Sequence, residues 1–238
     1  MFGNILNHSF LTAPLRSGAT VLDLGASTAE FSHRIALAHH VNCHAYEAHP
    51  ANFAAIVENE RVTKHNFLVG AHSEGSLEVA EHENGFAWVS AGLSNTGMET
   101  GGSFTVQNIS LGKILKKTGV EYISLVKVDI EGGEFDFFAG ASDEEILRCE
   151  QFTIEFHDFI DPRLAPKVQE VRERLEGLGY RWLRFSQHTQ GDVLVVKTEV
   201  LPSLWFLYFA ITKYGGGFSR ILTRLRPWNR KQHGGRYR

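Results

Sequence analysis

Two rhythms of hydrophobic and polar positions alternate along the chain. Short apolar runs rich in β-branched and aromatic residues occur at "TVLDLG" from Thr20, "NCHAYEA" from Asn42, "HNFLVGA" from His65, "YISLVKVDI" from Tyr122, "QFTIEFHD" from Gln151, "YRWLRFS" from Tyr180 and "DVLVVK" from Asp192. Between them, over Thr28 to His39, Pro50 to Asn59, Leu111 to Lys117 and Pro162 to Leu178, apolar residues recur every three or four positions, which is the period of a helix. Strands alternating with helices predict an α/β, Rossmann-like fold: a seven-stranded, mostly parallel sheet with helices on both faces. Only "QHTQG" separates the last two strands, so they should close the sheet as an antiparallel terminal hairpin.

Between the third and fourth strands lies an insertion, Glu74 to Glu121, in which "SLEVAE" and "FTVQN" read as short extra strands. The "AGLSNTGMETGGS" between them is either a substrate-covering element or a mobile connection. At 238 residues and 43% hydrophobic, the chain can bury one sizeable core, assigned to residues 1–199, with residues 200–238 as an appendage. Cys43 and Cys149 sit in apolar stretches without metal-ligand spacing and read as buried thiols. The start "MFGNILNHSFL" lacks the pattern of a signal peptide, which points to the cytoplasm.

The first chemistry-bearing stretch is "VLDLGASTAEFS", Val21 to Ser32: a strand, an acid, one glycine, small residues and a helix start. A dinucleotide site would need Gly-x-Gly-x-x-Gly here, and the run Gly25, Ala26, Ser27, Thr28, Ala29 does not supply it. That disfavours a nicotinamide-dependent oxidoreductase. A zwitterionic amino-acid end suits the turn better, its ammonium on the Asp23 side and its carboxylate at the helix N-terminus. S-adenosylmethionine has such an end. Glu47, about 20 residues further on at the end of the second strand, stands where an acid accepts both hydroxyls of an adenosine ribose. Ala48 follows it, and "GAHSEG" offers His72 and Ser73 as polar contacts to the adenine.

"DLGASTAEFS", "YEAHPANF", "SLGKIL", "LVKVDIEGGEFDFFAGA" and "TIEFHD" together resemble the FkbM-type methyltransferases, a family of class I S-adenosylmethionine-dependent enzymes. The resemblance runs from about Val21 to Asp158, and the Asp129-Ile130-Glu131-Gly132 block with Glu134 is its most specific part. Ser27 and Ala29 depart from the Asn and Gly that the family usually carries there, and "SLGKIL" lacks the family's paired acids. The resemblance implies methyl transfer to a hydroxyl, commonly on a sugar or polyketide-like acceptor.

Such a transfer needs the acceptor oxygen aligned with the methyl group and its proton removed by a carboxylate or histidine. The candidates are Asp129, facing the reacting region, and Glu131 or His157, orienting or deprotonating the acceptor. Strand alternation aims Lys127, Asp129 and Glu131 to one side, and places Glu155 and His157 together on the next strand. The alternative is that Glu131 caps the following helix and His157 is a satisfied buried histidine. Asp129, Glu155, His157 and Asp158 could also ligate a metal, but none is expected. A non-catalytic binding module on the same fold stays open at this point.

All 27 Asp and Glu lie at or before Glu199, whereas Lys213, Arg220, Arg224, Arg226, Arg230, Lys231, Arg236 and Arg238 follow it. The body is therefore acidic, the wrong footprint for tracking phosphates, and no nucleic-acid partner is expected. The tail is basic and partly apolar: "LPSLWFLYFAI", then "GGG", then "FSRILTRLRPW", whose Phe218, Ile221, Leu222 and Leu225 share a helical face. Peripheral contact of residues 200–238 with an anionic membrane is one reading, and packing against the body or a second copy is the other. The expected partner of the body is a small-molecule or glycan acceptor, and the oligomeric state is undefined by sequence.

Overall fold

The computed structural model describes residues 1–70, 75–82, 87–88, 100–157, 162–186 and 189–214. Thirteen strands are described: β1 (Phe2–Ile5), β2 (His8–Leu11), β3 (Thr20–Leu24), β4 (Asn42–Tyr46), β5 (Val62–His65), β6 (Leu68–Val69), β7 (Ser76–His82), β8 (Ala87–Trp88), β9 (Thr100–Ile109), β10 (Leu125–Val128), β11 (Gln151–Ile154), β12 (Tyr180–Arg184) and β13 (Val193–Lys197). The helices are α1 (Glu30–His39), α2 (Pro50–Ala55), α3 (Leu111–Thr118), α4 (Glu134–Gly140), α5 (Asp143–Ile146) and α6 (Ala165–Gly177), with a further helix, α7, over 205–214. The chain divides into two units, one of Met1 and Gly3–Leu201, the other of Phe2 and the chain from Pro202 onward. Among the described residues no helix is long and apolar enough to cross a membrane.

The main sheet has seven strands in the order β12-β13-β11-β10-β3-β4-β5. From β11 to β5 the pairings are parallel, and β12-β13 is the antiparallel hairpin expected from the sequence. Strands β10 and β11 are buried along their whole length and β13 up to Lys197, so both faces of the sheet are covered, and the polar residues Lys127, Gln151 and Thr153 lie inside. Alternate residues feed two cores. Leu22, Leu24, Val126, Val128, Phe152 and Ile154 pack toward α3, α4 and α6, while Val21, Cys43, Ala45 and Leu125 pack with Phe31 and Ile35 of α1. Helices thus cover both faces, and the strand order reverses between β3 and β10, where open α/β sheets bind ligands.

Several sequence expectations are corrected. The third strand is not His65 to Ala71: β5 ends at His65, and Leu68–Val69 joins a second sheet, ordered β6-β9-β7-β8. The chain turns at Asn66, whose amide donates to the carbonyls of Glu47 and Ala48. The second helix stops at Ala55 rather than Asn59. Ile56 is extended and buried, its amide donates to the Phe53 carbonyl, and the Lys64 ammonium also donates to the carbonyls of Phe53 and Ile56 at the helix end. The first helix begins at Glu30, two residues later than expected.

"SLEVAE" and "FTVQN" are strands, paired antiparallel in the second sheet. Four residues of the expected connecting loop, Thr100 to Ser103, belong to β9, and Ala91 to Glu99 lie outside the described residues. The hairpin β1-β2 was not foreseen at all.

Candidate functional site

The parallel register of β3 and β10 sets Asp23 beside Lys127. A lysine in the middle of a buried strand has to find negative charge. The Lys127 ammonium lies 3.2 Å from Asp23 Oδ1 and 3.3 Å from Asp129 Oδ2, and donates to the Gly25 carbonyl at 3.0 Å. Burial alone would lower its pKa, but the two carboxylates raise it above the ordinary lysine value. Asp23 is fully buried and also accepts from the Ser32 hydroxyl at 2.7 Å. It therefore acts on the site through Lys127, and the part-exposed Asp129 is the acid that faces outward.

Gly25 follows Asp23 with φ 74°, and a Cβ there would stand 1.8 Å from the Asp129 carbonyl oxygen. Only glycine lets the loop after β3 touch the loop after β10 in this way. The amides of Gly25 and Ala26 both donate to the Tyr46 carbonyl at 3.0 Å. Ser27 (φ 50°) and Ala29 (φ 60°) also have left-handed backbones, and they are the two positions that depart from the family pattern. Ser27 is exposed, so Ser27→Gly should raise stability by about 0.5–1 kcal/mol, the relief of a left-handed backbone less the added freedom of the unfolded chain. Urea unfolding of the two proteins checks this, and an unchanged midpoint would mean that the turn carries no strain.

Glu47, at the carboxyl end of β4, is nearly buried, with one oxygen accepting the Ser27 amide at 2.7 Å and the other the His49 amide at 2.8 Å. Burial raises its pKa, and those two backbone bonds pull it back. Each oxygen keeps acceptor capacity for a further donor. The first turn of α1 has no side-chain cap, and thus has amides to offer an anion. Ala48 is partly buried beside the second sheet, whereas His72 and Ser73 lie outside the described residues.

Beyond β10 the "DIEGGE" segment turns through left-handed Glu131 (φ 50°) and Gly132 (φ 92°). The turn is held by Glu134, fully buried, whose Oε1 accepts the amides of Ile130 at 3.3 Å and Gly132 at 3.1 Å. The same oxygen lies 3.1 Å from His157 Nδ1, and Glu131 Oε2 lies 3.3 Å from His157 Nε2. Burial would lower the His157 pKa, but the Glu134 hydrogen bond and the surrounding carboxylates raise it to about 9, so the ring is an imidazolium at neutral pH.

His8 reaches the same place from β2. Its Nε2 lies 3.5 Å from Asp129 Oδ2 and its ring stands edge-on to Phe31. Reciprocal bonds between the Gln151 amide and the Leu11 backbone, and from Ser9 to the Asp192 carboxylate, hold the strand there. Burial pushes the Asp129 carboxyl up, but Lys127 and the His8 hydrogen bond bring it well below the usual carboxylate range. The ligand atoms of His8, Asp129 and Glu155 lie within 4.8 Å of one another, as do those of Asp129, Glu131 and His157. Both sets share Asp129, so a divalent cation would compete with the ammonium already beside it.

The sequence-derived Asp129, Glu131 and His157 are thus brought together, and Asp23, Gly25, Ala26, Ser27 and Glu47 line the adjoining turn. His8 carried no signal, since nothing in "NHSFL" predicts its neighbours. Lys127 did carry one, as a lone charge inside an apolar strand.

A Rossmann-like sheet with a glycine turn and strand-end acids at its switch point is the architecture of a nucleotide-binding α/β protein. The methyltransferase FkbM domain matches residues 18–182, and the chain belongs to that family. Over 106 residues, 37% of the chain, it is 26% identical to the AMB antimetabolite synthetase AmbE of Pseudomonas aeruginosa, spanning only 5% of that protein's length. Solved structures similar to it include a precorrin-6y C5,15-methyltransferase from Geobacter metallireducens (12% identity, TM-score 0.41, 76% of this chain and 82% of that one). Another is the Methanococcus jannaschii fibrillarin pre-rRNA processing protein (12% identity, TM-score 0.43, 83% of this chain and 70% of that one).

Proposed function

We propose that the protein is a cytoplasmic S-adenosylmethionine-dependent O-methyltransferase acting on a hydroxyl of a carbohydrate or of a related small-molecule or lipid-linked acceptor. The observation that carries the reading is the joining of two acids' surroundings at one switch point: Glu47 beside the glycine turn, and the Asp129 cluster one backbone contact away. The residues fit the cofactor. Glu47 has acceptor capacity for two ribose hydroxyls, the uncapped α1 turn has amides for a carboxylate, and Asp129 has exposed charge for an ammonium. When bound, S-adenosylmethionine supplies a methyl group already activated by its sulfonium.

The protein's own contribution is then to orient the acceptor and take its proton. His157, protonated and pinned between Glu131 and Glu134, is a hydrogen-bond donor rather than a base. Asp129, engaged by Lys127 and His8, is a poor proton acceptor. Glu155 is different: among the described residues its carboxylate makes no hydrogen bond or ion pair, yet it lies within reach of Asp129 and His8. Burial, followed by the Asp129 charge, raises its pKa above the ordinary glutamate value, which makes it a stronger base. In this reading Glu155 accepts the hydroxyl proton, and the part-exposed Glu131, oriented by His157, holds the acceptor.

Calorimetry with S-adenosylmethionine and its demethylated product tests the cofactor half. Glu47→Ala should weaken binding about tenfold or more, since charged hydrogen bonds are worth about 1.5–3 kcal/mol each. No binding by the folded wild type would overturn the assignment, and binding of a nicotinamide dinucleotide would replace it with an oxidoreductase. Labelled-methyl transfer into fractionated glycans, lipids and small molecules tests the rest. Tight cofactor binding with no transfer into any fraction would favour a non-catalytic module.

A further inference from the structure

The second unit contains a helix that the catalytic reading does not use. Leu204, Leu207, Tyr208 and Ile211 are 53%, 51%, 43% and 62% exposed, and their spacing of three, four and seven places them on one face of α7 and its entry turn. Phe206 and Tyr214 add further exposed aromatic surface. An exposed apolar stripe of this kind is what soluble surfaces avoid unless something covers it.

Charge says what covers it. Lys213 lies within the helix, and the 24 residues after Tyr214 carry seven more basic residues and no acid. A contact between α7 and the α7 of a second copy would bring the same positive charge to the interface, whereas an anionic surface would neutralise it. Ten helical residues are far too few to cross a bilayer. Short helices with leucine and aromatic residues on one side and lysine or arginine nearby lie flat at the headgroup boundary of anionic membranes.

We propose that α7 docks on an anionic lipid surface through Leu204, Leu207, Tyr208 and Ile211, with the basic residues after it supplying the electrostatic attraction. This goes beyond the methyl-transfer reading and does not depend on it, because docking needs no cofactor or acceptor.

The test is cosedimentation of the full chain with vesicles of phosphatidylcholine alone and of phosphatidylcholine with 30% phosphatidylglycerol, a probe composition, at low and at about 0.5 M salt. Binding should be about tenfold or more stronger on the anionic vesicles and fall steeply with salt. Leu207→Glu combined with Ile211→Glu should remove it while leaving the melting temperature and cofactor binding of the first unit unchanged. Equal partitioning onto both vesicles, or none onto either, would overturn the proposal. So would conversion of a dimer to a monomer by the double variant with vesicle binding unaltered, which would make a second copy the occupant. Binding to a DNA duplex in place of vesicles would overturn it as well.

Discussion

Lys127→Met should destabilise the fold by about 3–5 kcal/mol, the usual cost of removing one partner from a buried ion pair. The reason is local. Methionine fills the space of the lysine stem, but Asp23 has no exposure and Asp129 little, so both charges lose the ammonium that sits 3.2 and 3.3 Å away. The deficit should also depend on pH. The folded wild type holds Asp129 below the carboxylate range, so this part of its stability is present above an unfolded pKa of about 4 and lost as acid protonates the group. In the variant, protonation instead removes an uncompensated charge. Denaturant unfolding at pH 7 and pH 4.5 should therefore show the gap narrowing in acid. An equal gap at both values would mean that packing, not charge, explains the loss.

Glu155→Gln should lower turnover about a hundredfold or more while leaving cofactor affinity and the melting temperature near wild type, if Glu155 removes the acceptor's proton. The glutamine keeps the shape and gives up the base. The wild-type pH profile should rise as Glu155 ionises, with a midpoint above the ordinary glutamate value because burial raises it. It should fall again toward pH 9, where His157 loses the proton that Glu134 and Glu131 help it keep. The rising limb should disappear in the variant and the falling limb remain. Full turnover by Glu155→Gln would remove the residue from the chemistry. Turnover lost together with cofactor binding would reassign it to positioning.

The fold was legible because the strands buried on both faces are rich in β-branched and other apolar residues, with only single polar positions such as Asp23 and Lys127, and the longer helices between them keep their period. Boundaries failed where side chains rather than propensity end an element. Asn66 stops the third strand by capping two carbonyls, and Lys64 closes a helix that Ile56 leaves early. The hairpin β1-β2 was invisible because its anchors are distant in sequence, Gln151 and Asp192. The same distance hid His8.

Around Asp129, Glu131 and His157, strand alternation was enough to bring the side chains together. It could not show which of them are already engaged. Asp23 reads from sequence as a ligand contact, and the register with Lys127 makes it a buried counter-charge. Glu131 was a candidate helix cap, but Glu134, three residues on, takes the turn's amides. Glu155 stood out only once its neighbours were seen to be paired.

The contact between Gly25 and the Asp129 carbonyl has a consequence for how this site could be altered. Two loops that meet backbone to backbone, without room for a methyl group, behave as a single rigid part. In the proposed reading one loop holds the cofactor and the other faces the acceptor, so a substitution that moves either backbone should change both affinities. The second sheet, β6-β9-β7-β8, is not part of that backbone contact.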